Sequence, residues 1–521
     1  MQRKELKDNC RLTKFELAFL ILSATITITI VSTCSPLYPF NPWDDANCFF
    51  TLGRGIKHGL VPYRDLYDHK GPIIYFIYFL AALISEKSFT GIWLIECIAA
   101  SVYAVFTWKT VKLFFEAPKF SLAVMPLFLG TVYTSGMFNF GGNAEELCFS
   151  LLTVAFFFCL RSIVIDNDLP NNKEAFISGL ITSFLFWIKY TLLGFMAAFI
   201  LIILIISIWR KQFARLWSLV WRFLSGFVLI TIPVILYFAF TRSLHSLWEE
   251  YFINNIRFYL DSSQLPLLGR IPVVKNFYFT ISCLFSTLRY NTSFGVLFLI
   301  TLASLFCIEK KYRKRMLIVF IITFALSAGF VFTKPGFVYY YGYILSYCMG
   351  LSVIPVIKLE TYLTKRFSSS DSLIKLISGV LLSVLFVLTL LLGKNMYLIF
   401  KPKEFLSQYR IADTIARTEN ARVVTYDVMD SGFFTAAGIL PSNRFYCFHN
   451  NENEYTEVAE EKNRLIKEGF YDYIVTYYFC DAKWDNYELI REETGQYAGN
   501  DGKLITEGYK LYKKVDKTHA E

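Results

Sequence analysis

Long apolar runs alternate with short basic or polar turns along most of this chain. The first run, Phe15–Cys34, follows Arg3, Lys4, Lys7, Arg11 and Lys14. At about twenty residues it is long for a signal-peptide core, and no small-residue cleavage site follows, so it reads as a retained anchor. With the basic N-terminus in the cytoplasm, the positive-inside rule orders the rest. Outward spans are predicted over Phe15–Cys34, Ser121–Met137, Phe176–Trp187, Phe223–Phe240, Met316–Phe332 and Leu376–Gly393. Inward spans are predicted over Phe89–Trp108, Leu147–Leu160, Thr191–Trp209, Ser293–Ile308 and Phe337–Ile357. Lys109, Arg161, Arg210, the cluster Lys310, Lys311, Arg313, Lys314 and Arg315, and Lys358 then all fall inside. The count is about eleven spans.

Three further stretches stay on the outer side in this reading. Ala46–His58 mixes polar and apolar positions, as an interfacial helix does. Pro72–Ile84 is short for a span and reads as a juxtamembrane or re-entrant helix. Val273–Leu288 reads as a second surface helix, because a crossing by either apolar stretch would put later basic loops outside.

The pattern changes near Lys394. Ala421–Tyr426, Tyr473–Tyr478 and Leu504–Lys513 read as strands, and Tyr455–Glu468 as a charged amphipathic helix ended by Gly469. The fold class expected is a polytopic α-helical membrane protein with a small C-terminal α/β domain. Residues 1–394 form the membrane domain, with 35–88 as its first extracytoplasmic loop, and 395–521 form an extracytoplasmic tail.

Composition agrees with the pattern. The chain is 55% hydrophobic and only 18% charged, which suits a multispanning protein and not a soluble one. Its aromatic content, 52 Phe and 33 Tyr among it, serves packing and interface anchoring or lines a carbohydrate or lipid cavity. The net charge of +10 sits at the ends of apolar runs, so it reports topology and implies no nucleic-acid partner. Most of the 11 cysteines lie within apolar runs as small hydrophobes. Cys447 and Cys480 in the tail could pair if the tail is outside. There is no P-loop, Rossmann glycine string, H-E-x-x-H or G-x-S-x-G, so nucleotide-sugar chemistry on the inner face has no support.

The candidate chemistry lies just past the first span. Trp43-Asp44-Asp45-Ala46-Asn47 is followed by Gly59-Leu60-Val61-Pro62-Tyr63-Arg64-Asp65-Leu66-Tyr67-Asp68-His69-Lys70-Gly71-Pro72. Ionisable groups at a bilayer edge are costly unless they act. Adjacent carboxylates raise at least one pKa, which suits a general base; the alternative is that one of them caps the helix over Ala46–His58. Lys70 is a point cation at headgroup depth, suited to a phosphate or to plain snorkelling. His69 could bond the same phosphate, and Arg64 is a weaker candidate. Asn143, Glu145 and Glu146 open a span on the same face, where a solvated span end explains them as well as a binding role does. For Arg257, Asp261 and Arg270, in the large loop after Phe240, a solvated role is favoured over closure on substrate. Tyr339, Tyr340, Tyr341 and Tyr343 read first as an aromatic belt, with sugar stacking as the second reading.

This string resembles the first extracytoplasmic loop of the GT-C glycosyltransferases, of the kind that includes bacterial protein O-mannosyltransferases and the aminoarabinose transferase of lipid A. In those proteins an acid opens the loop and a G-x-x-P-Y-x-D-x-x-x-x-K-x-P type string follows. Here Asp45 is matched by Gly59, Pro62, Tyr63, Asp65, Lys70 and Pro72, with Asp44 one residue away as the other catalytic candidate. The likeness covers roughly residues 15–395, most strongly 43–84. It implies an inverting transferase that takes sugar from a polyprenyl-phosphate carrier, with an Asp base, Lys70 on the carrier phosphate, and a cell-envelope acceptor. It implies no organic cofactor; a divalent cation near Asp44, Asp45 and Glu145 is compatible with it. The competing readings are a lipid-linked glycan flippase or transporter, which should show buried charges at mid-membrane, and an O-antigen ligase or polymerase, with key residues in a late loop. A metal cluster in the tail is not expected, since His449 and Asp427 are isolated in sequence.

Overall fold

The structure is a computed structural model and describes residues 10–115, 119–259, 272–290, 292–330, 338–348, 350–366, 372–450, 452, 455–498 and 504–515. Most apolar runs are helical, as lipid demands of a chain that must satisfy its own backbone. Helix α1 (Lys14–Val31) starts in a capping box: the Thr13 hydroxyl accepts from the Glu16 amide, and the Glu16 carboxylate accepts from the Thr13 amide. Then come α2 (Asp44–Lys57), α3 (Pro72–Ile84), α4 (Thr90–Phe114), α5 (Ala144–Cys159), α6 (Asn172–Lys189), α7 (Gly194–Trp209) and α8 (Phe213–Phe240).

Six helical stretches among the described residues are long and apolar enough to cross a membrane: Lys14–Val31, Thr90–Phe114, Ala144–Ile165, Asn172–Leu192, Phe213–Phe240 and Ile344–Tyr362. With the shorter apolar helices they make this a multi-pass membrane protein. Two predicted spans are interrupted. Ser121–Met137 divides into Lys119–Leu122 and Met125–Tyr133, with Pro126 in the first turn of the second, where its missing amide hydrogen costs no bond. Phe337–Ile357 is broken into a tight turn at Val338–Tyr341, a short helix Ile344–Cys348, a turn at Leu351–Val353 and a helix from Ile354. The expected surface helix at Val273–Leu288 is Pro272–Tyr290, packed against Lys310–Phe330.

α6 and α8 meet at glycines. A Cβ on Gly179 would lie 2.0 Å from the Phe223 carbonyl oxygen, and one on Gly226 would lie 2.1 Å from that of Phe176. Small residues let two membrane helices approach this closely.

The tail is a four-stranded sheet with helices. Its strands are β1 (Val423–Thr425), β2 (Tyr473–Tyr477), β3 (Tyr487–Ala498) and β4 (Leu504–Lys514), ordered β1-β2-β4-β3. β1 is parallel to β2; β4 is antiparallel to both β2 and β3. The sequence missed β3, a charged edge strand whose residues Glu488, Leu489, Ile490 and Glu492 are exposed. The predicted amphipathic helix is Thr456–Lys467. Cys447 and Cys480 do not pair: Cys447 is buried against α2, while Cys480 is partly exposed.

α2 starts two residues before the helix predicted from Ala46. It is not a surface element, because every residue from Asp45 to Gly55 is buried. One side packs on α3, where a Cβ on Gly53 would lie 2.5 Å from the Tyr78 carbonyl carbon. The other side packs on tail residues 430–447.

Replacing Gly179 by Val should force α6 and α8 apart. Overpacking of this kind costs about 1–3 kcal/mol. The detergent-solubilised variant should therefore melt several degrees below the parent, and an unchanged melting temperature would contradict the close approach.

Candidate active site

α2 brings its two acids to opposite duties. Its N-cap is Trp43, which makes no side-chain capping bond, so neither acid caps the helix; both occupy the first turn, where the helix dipole favours a negative charge. Consecutive residues on a helix point about 100° apart. Asp44 turns to the tail, where its Oδ1 accepts from the Ser431 hydroxyl at 2.5 Å. Burial pushes its carboxyl up to about 7; the Glu507, Asp45 and Asp430 carboxylates push the same way, and the Ser431 bond opposes them. Asp45 turns to the membrane helices. It is buried, and its Oδ2 accepts from the Tyr339 hydroxyl at 3.2 Å.

The loop after α2 is knotted by its own polar groups. The Asp65 carboxylate accepts from the Val61 amide at 2.8 Å and is forked by Arg64, which holds it below the usual carboxylate range. Arg64 also donates to the Thr241 carbonyl at 2.8 Å. Arg64 and Asp65 therefore shape a turn and stand apart from the cavity described below. Tyr63 is buried with its backbone in the left-handed region, φ 67°, and donates to the Lys70 carbonyl at 2.5 Å. Tyr75 donates to the same oxygen at 3.0 Å, and Asn255 to the His69 carbonyl at 2.6 Å.

This clamped backbone sets Lys70 and His69 in the wall of a cavity of about 320 Å³. Ile188, Lys189, Tyr190, Thr191, Tyr251, Asn255, Ile256 and Tyr340 complete the lining. The Lys70 ammonium lies 2.9 Å from His69 Nε2, and His69 Nδ1 lies 3.4 Å from Asp68 Oδ1. Lys189 sits over the Tyr340 ring at 3.4 Å and pairs with the Glu145 carboxylate. Asp45 is within electrostatic reach of Lys189. A second cavity, of about 510 Å³, opens at the opposite helix ends between Arg11, Lys109, Arg161 and Glu174. It is larger, but it lies away from every first-loop residue.

Gly71 makes the junction between loop and bundle. Its amide donates to the Ile188 carbonyl at 3.0 Å, and a Cβ there would lie 2.1 Å from the Trp187 carbonyl oxygen. Pro72 then opens α3 without needing a donor.

The remaining predicted residues are brought near but serve different ends. Asn143 caps α5, accepting from the Glu146 amide at 2.6 Å and donating to the Phe138 carbonyl at 2.8 Å. Glu146 faces Glu96, and the Gly142 amide donates to Glu96 at 2.6 Å. Of the outer-loop residues singled out after Phe240, Arg257 is exposed; Asp261 and Arg270 lie outside the described residues.

Sequence reasoning missed Lys189. It is the one charged residue between Glu174 and Arg210, and that isolation was its signal. It also missed the meeting of His449 with Asp68 and His69. These three buried residues each present a ligand atom, all within 4.8 Å of one another, and are the group among the described residues that could hold a metal ion. His449 is far from them in sequence, so spacing gave no hint. Of the acids considered for a cation, Asp44 faces Ser431 and Glu145 faces Lys189. Burial and the Lys462 and Lys70 cations press the His449 imidazole down to about 3, so it is neutral and able to accept.

No protein-family model matches the chain, and no curated protein matches it. Among solved structures it is similar to ArnT from Cupriavidus metallidurans bound to undecaprenyl phosphate. Identity is 10%, coverage 89% of this chain and 92% of that one, and the TM-score 0.47. The apo structure of the same protein matches at 9% identity over 95% and 97% of the two chains, with a TM-score of 0.46. Arabinofuranosyltransferase AftD from Mycobacteria matches at 10% identity over 98% of this chain but 40% of its own length, with a TM-score of 0.37. Likeness of this depth assigns no activity.

Two expectations follow from the geometry. Gly71→Ala should push the loop from α6 and lower activity more than stability, read as turnover against melting temperature in one preparation. Asp44 and Asp430, at about 7 and about 6 against an ordinary 3.8, bind protons in the fold that the unfolded chain has released. Their contribution to stability is full below about pH 4 and is lost as pH rises through 6 and 7. The melting temperature should fall across that window by less in Asp44→Asn than in the parent; equal falls would contradict the assignment.

Proposed function

We propose that this chain is a glycosyltransferase of the GT-C type. It takes a sugar from a polyprenyl-phosphate carrier and transfers it, with inversion, to a cell-envelope acceptor at the outer membrane face. The N-terminus is then cytoplasmic and the tail extracytoplasmic. The observation that carries this reading is the pair of cations, Lys70 and Lys189, in the wall of an aromatic-lined cavity, with the buried carboxylate of Asp45 within electrostatic reach of Lys189.

Sugar transfer by single displacement needs opposite charges on the two sides of the anomeric carbon. An acceptor hydroxyl must lose a proton as it attacks, and Asp45 is the base suited to take it. The departing phosphate gains negative charge, which Lys70 and Lys189 can meet in a site poor in water. Glu145 keeps Lys189 charge-balanced while the cavity holds no anion, and an arriving phosphate competes for the same ammonium. Tyr190, Tyr251 and Tyr340 give the cavity an aromatic wall suited to a sugar or the first isoprene units.

Asp45→Asn should fold and bind carrier normally but lose about a hundredfold to ten-thousandfold in transfer. Lys70→Ala and Lys189→Ala should each weaken polyprenyl-phosphate binding about tenfold or more, the scale of a charged hydrogen bond. Both effects are read with purified protein, by single-turnover transfer and by lipid titration in detergent. Full transfer by Asp45→Asn, or parental binding by both lysine variants, would overturn the reading.

A further inference from the structure

α2 meets the tail along one row of side chains, and two thiols lie in that row. Asp44 contacts Ser431, Thr51 donates to Asp430, and Arg54 donates to Thr435 at 3.5 Å. Between Asp44 and Thr51 on the same helical stripe is Cys48, and the tail places Cys447 against it, thiol to thiol. Both are free and buried, at 1% and 0% exposure. The contacts on either side of Cys48 fasten α2 to the tail.

We propose that Cys48 and Cys447 are joined by a disulfide that fastens the tail to α2 in the mature protein. The proposal rests on the reading that this face lies outside the cytoplasm, where disulfides persist. The oxidant is a disulfide-bearing thiol oxidoreductase acting before the tail docks, since the docked thiols are shielded. The Cys447 thiolate attacks the oxidoreductase disulfide and forms a mixed disulfide, releasing one oxidoreductase thiol. The Cys48 thiolate then displaces the second. One sulfur–sulfur bond forms and one breaks, two protons leave the cysteines, and the oxidoreductase takes up both electrons.

The test uses full-length protein in its native membrane. Thiols are trapped with N-ethylmaleimide before lysis, and peptides are mapped by mass spectrometry without reductant. A peptide pair linked through Cys48 and Cys447 is expected in most of the protein. Maleimide adducts on both residues after denaturation in the trap would overturn the proposal. Reductant should also lower the melting temperature of the purified parent and leave that of Cys48→Ser/Cys447→Ser unchanged; equal melting of the parent with and without reductant would count against it. Cys480, partly exposed on the tail, reports the side: a membrane-impermeant maleimide should label it on intact cells. If it is not labelled there but is labelled after lysis, the oxidising location and the disulfide fall together. A linked pair alongside full transfer by Asp45→Asn would uphold the disulfide and overturn only the catalytic reading.

Discussion

α2 has no face left for water, and the rest of the site follows from that burial. A helix carrying Asp45, Asn47, Thr51 and Arg54 cannot be enclosed unless its polar groups meet partners. The structure supplies them from three directions. Asn47 donates to the Asn41 and Trp43 carbonyls at 2.9 and 2.8 Å, Thr51 and Arg54 reach the tail, and Asp45 receives Tyr339. Tail, loop and bundle therefore close around the helix together. Loss of any one layer would strand charge in an apolar setting, a cost of several kcal/mol for each ion.

The same enclosure separates two carboxylates that sequence alone cannot tell apart. Asp44 is spent on docking, held by a hydroxyl among three other acids. Asp45 accepts from the Tyr339 hydroxyl and lies within electrostatic reach of Lys189. Their difference lies in what stands opposite each of them. Coulomb interactions among Asp45, Glu145, Lys189 and Lys70 gain force because the site is poor in water.

What the sequence made legible was local. The loop string with Asp45, Tyr63 and Lys70, the helical runs, and three of the four tail strands could all be read from spacing and period. Tyr63 and Asp65 matched the string, yet their side chains hold the loop backbone and do not line the cavity. Lys189 and Glu96 were visible as single charges within long apolar runs, a signal that the helix count obscured. The contacts of Ser431, Asp430, Cys447 and His449 with residues 44 to 69 cross almost the whole chain, and no periodicity encodes them. The charged edge strand β3 was hidden for the opposite reason, because it has little apolar face to show.

Gly71 carries a mechanical consequence. Its main chain touches the main chain at Trp187 and Ile188, and Lys70 and Lys189 each stand one residue from that joint. The two ammonium groups thus hang from a single hinge point shared by loop and helix. When a bilayer of different thickness tilts α6, both cations travel with it and the gauge between them is kept. The spacing of these two charges is in this way insulated from the elasticity of the membrane around them.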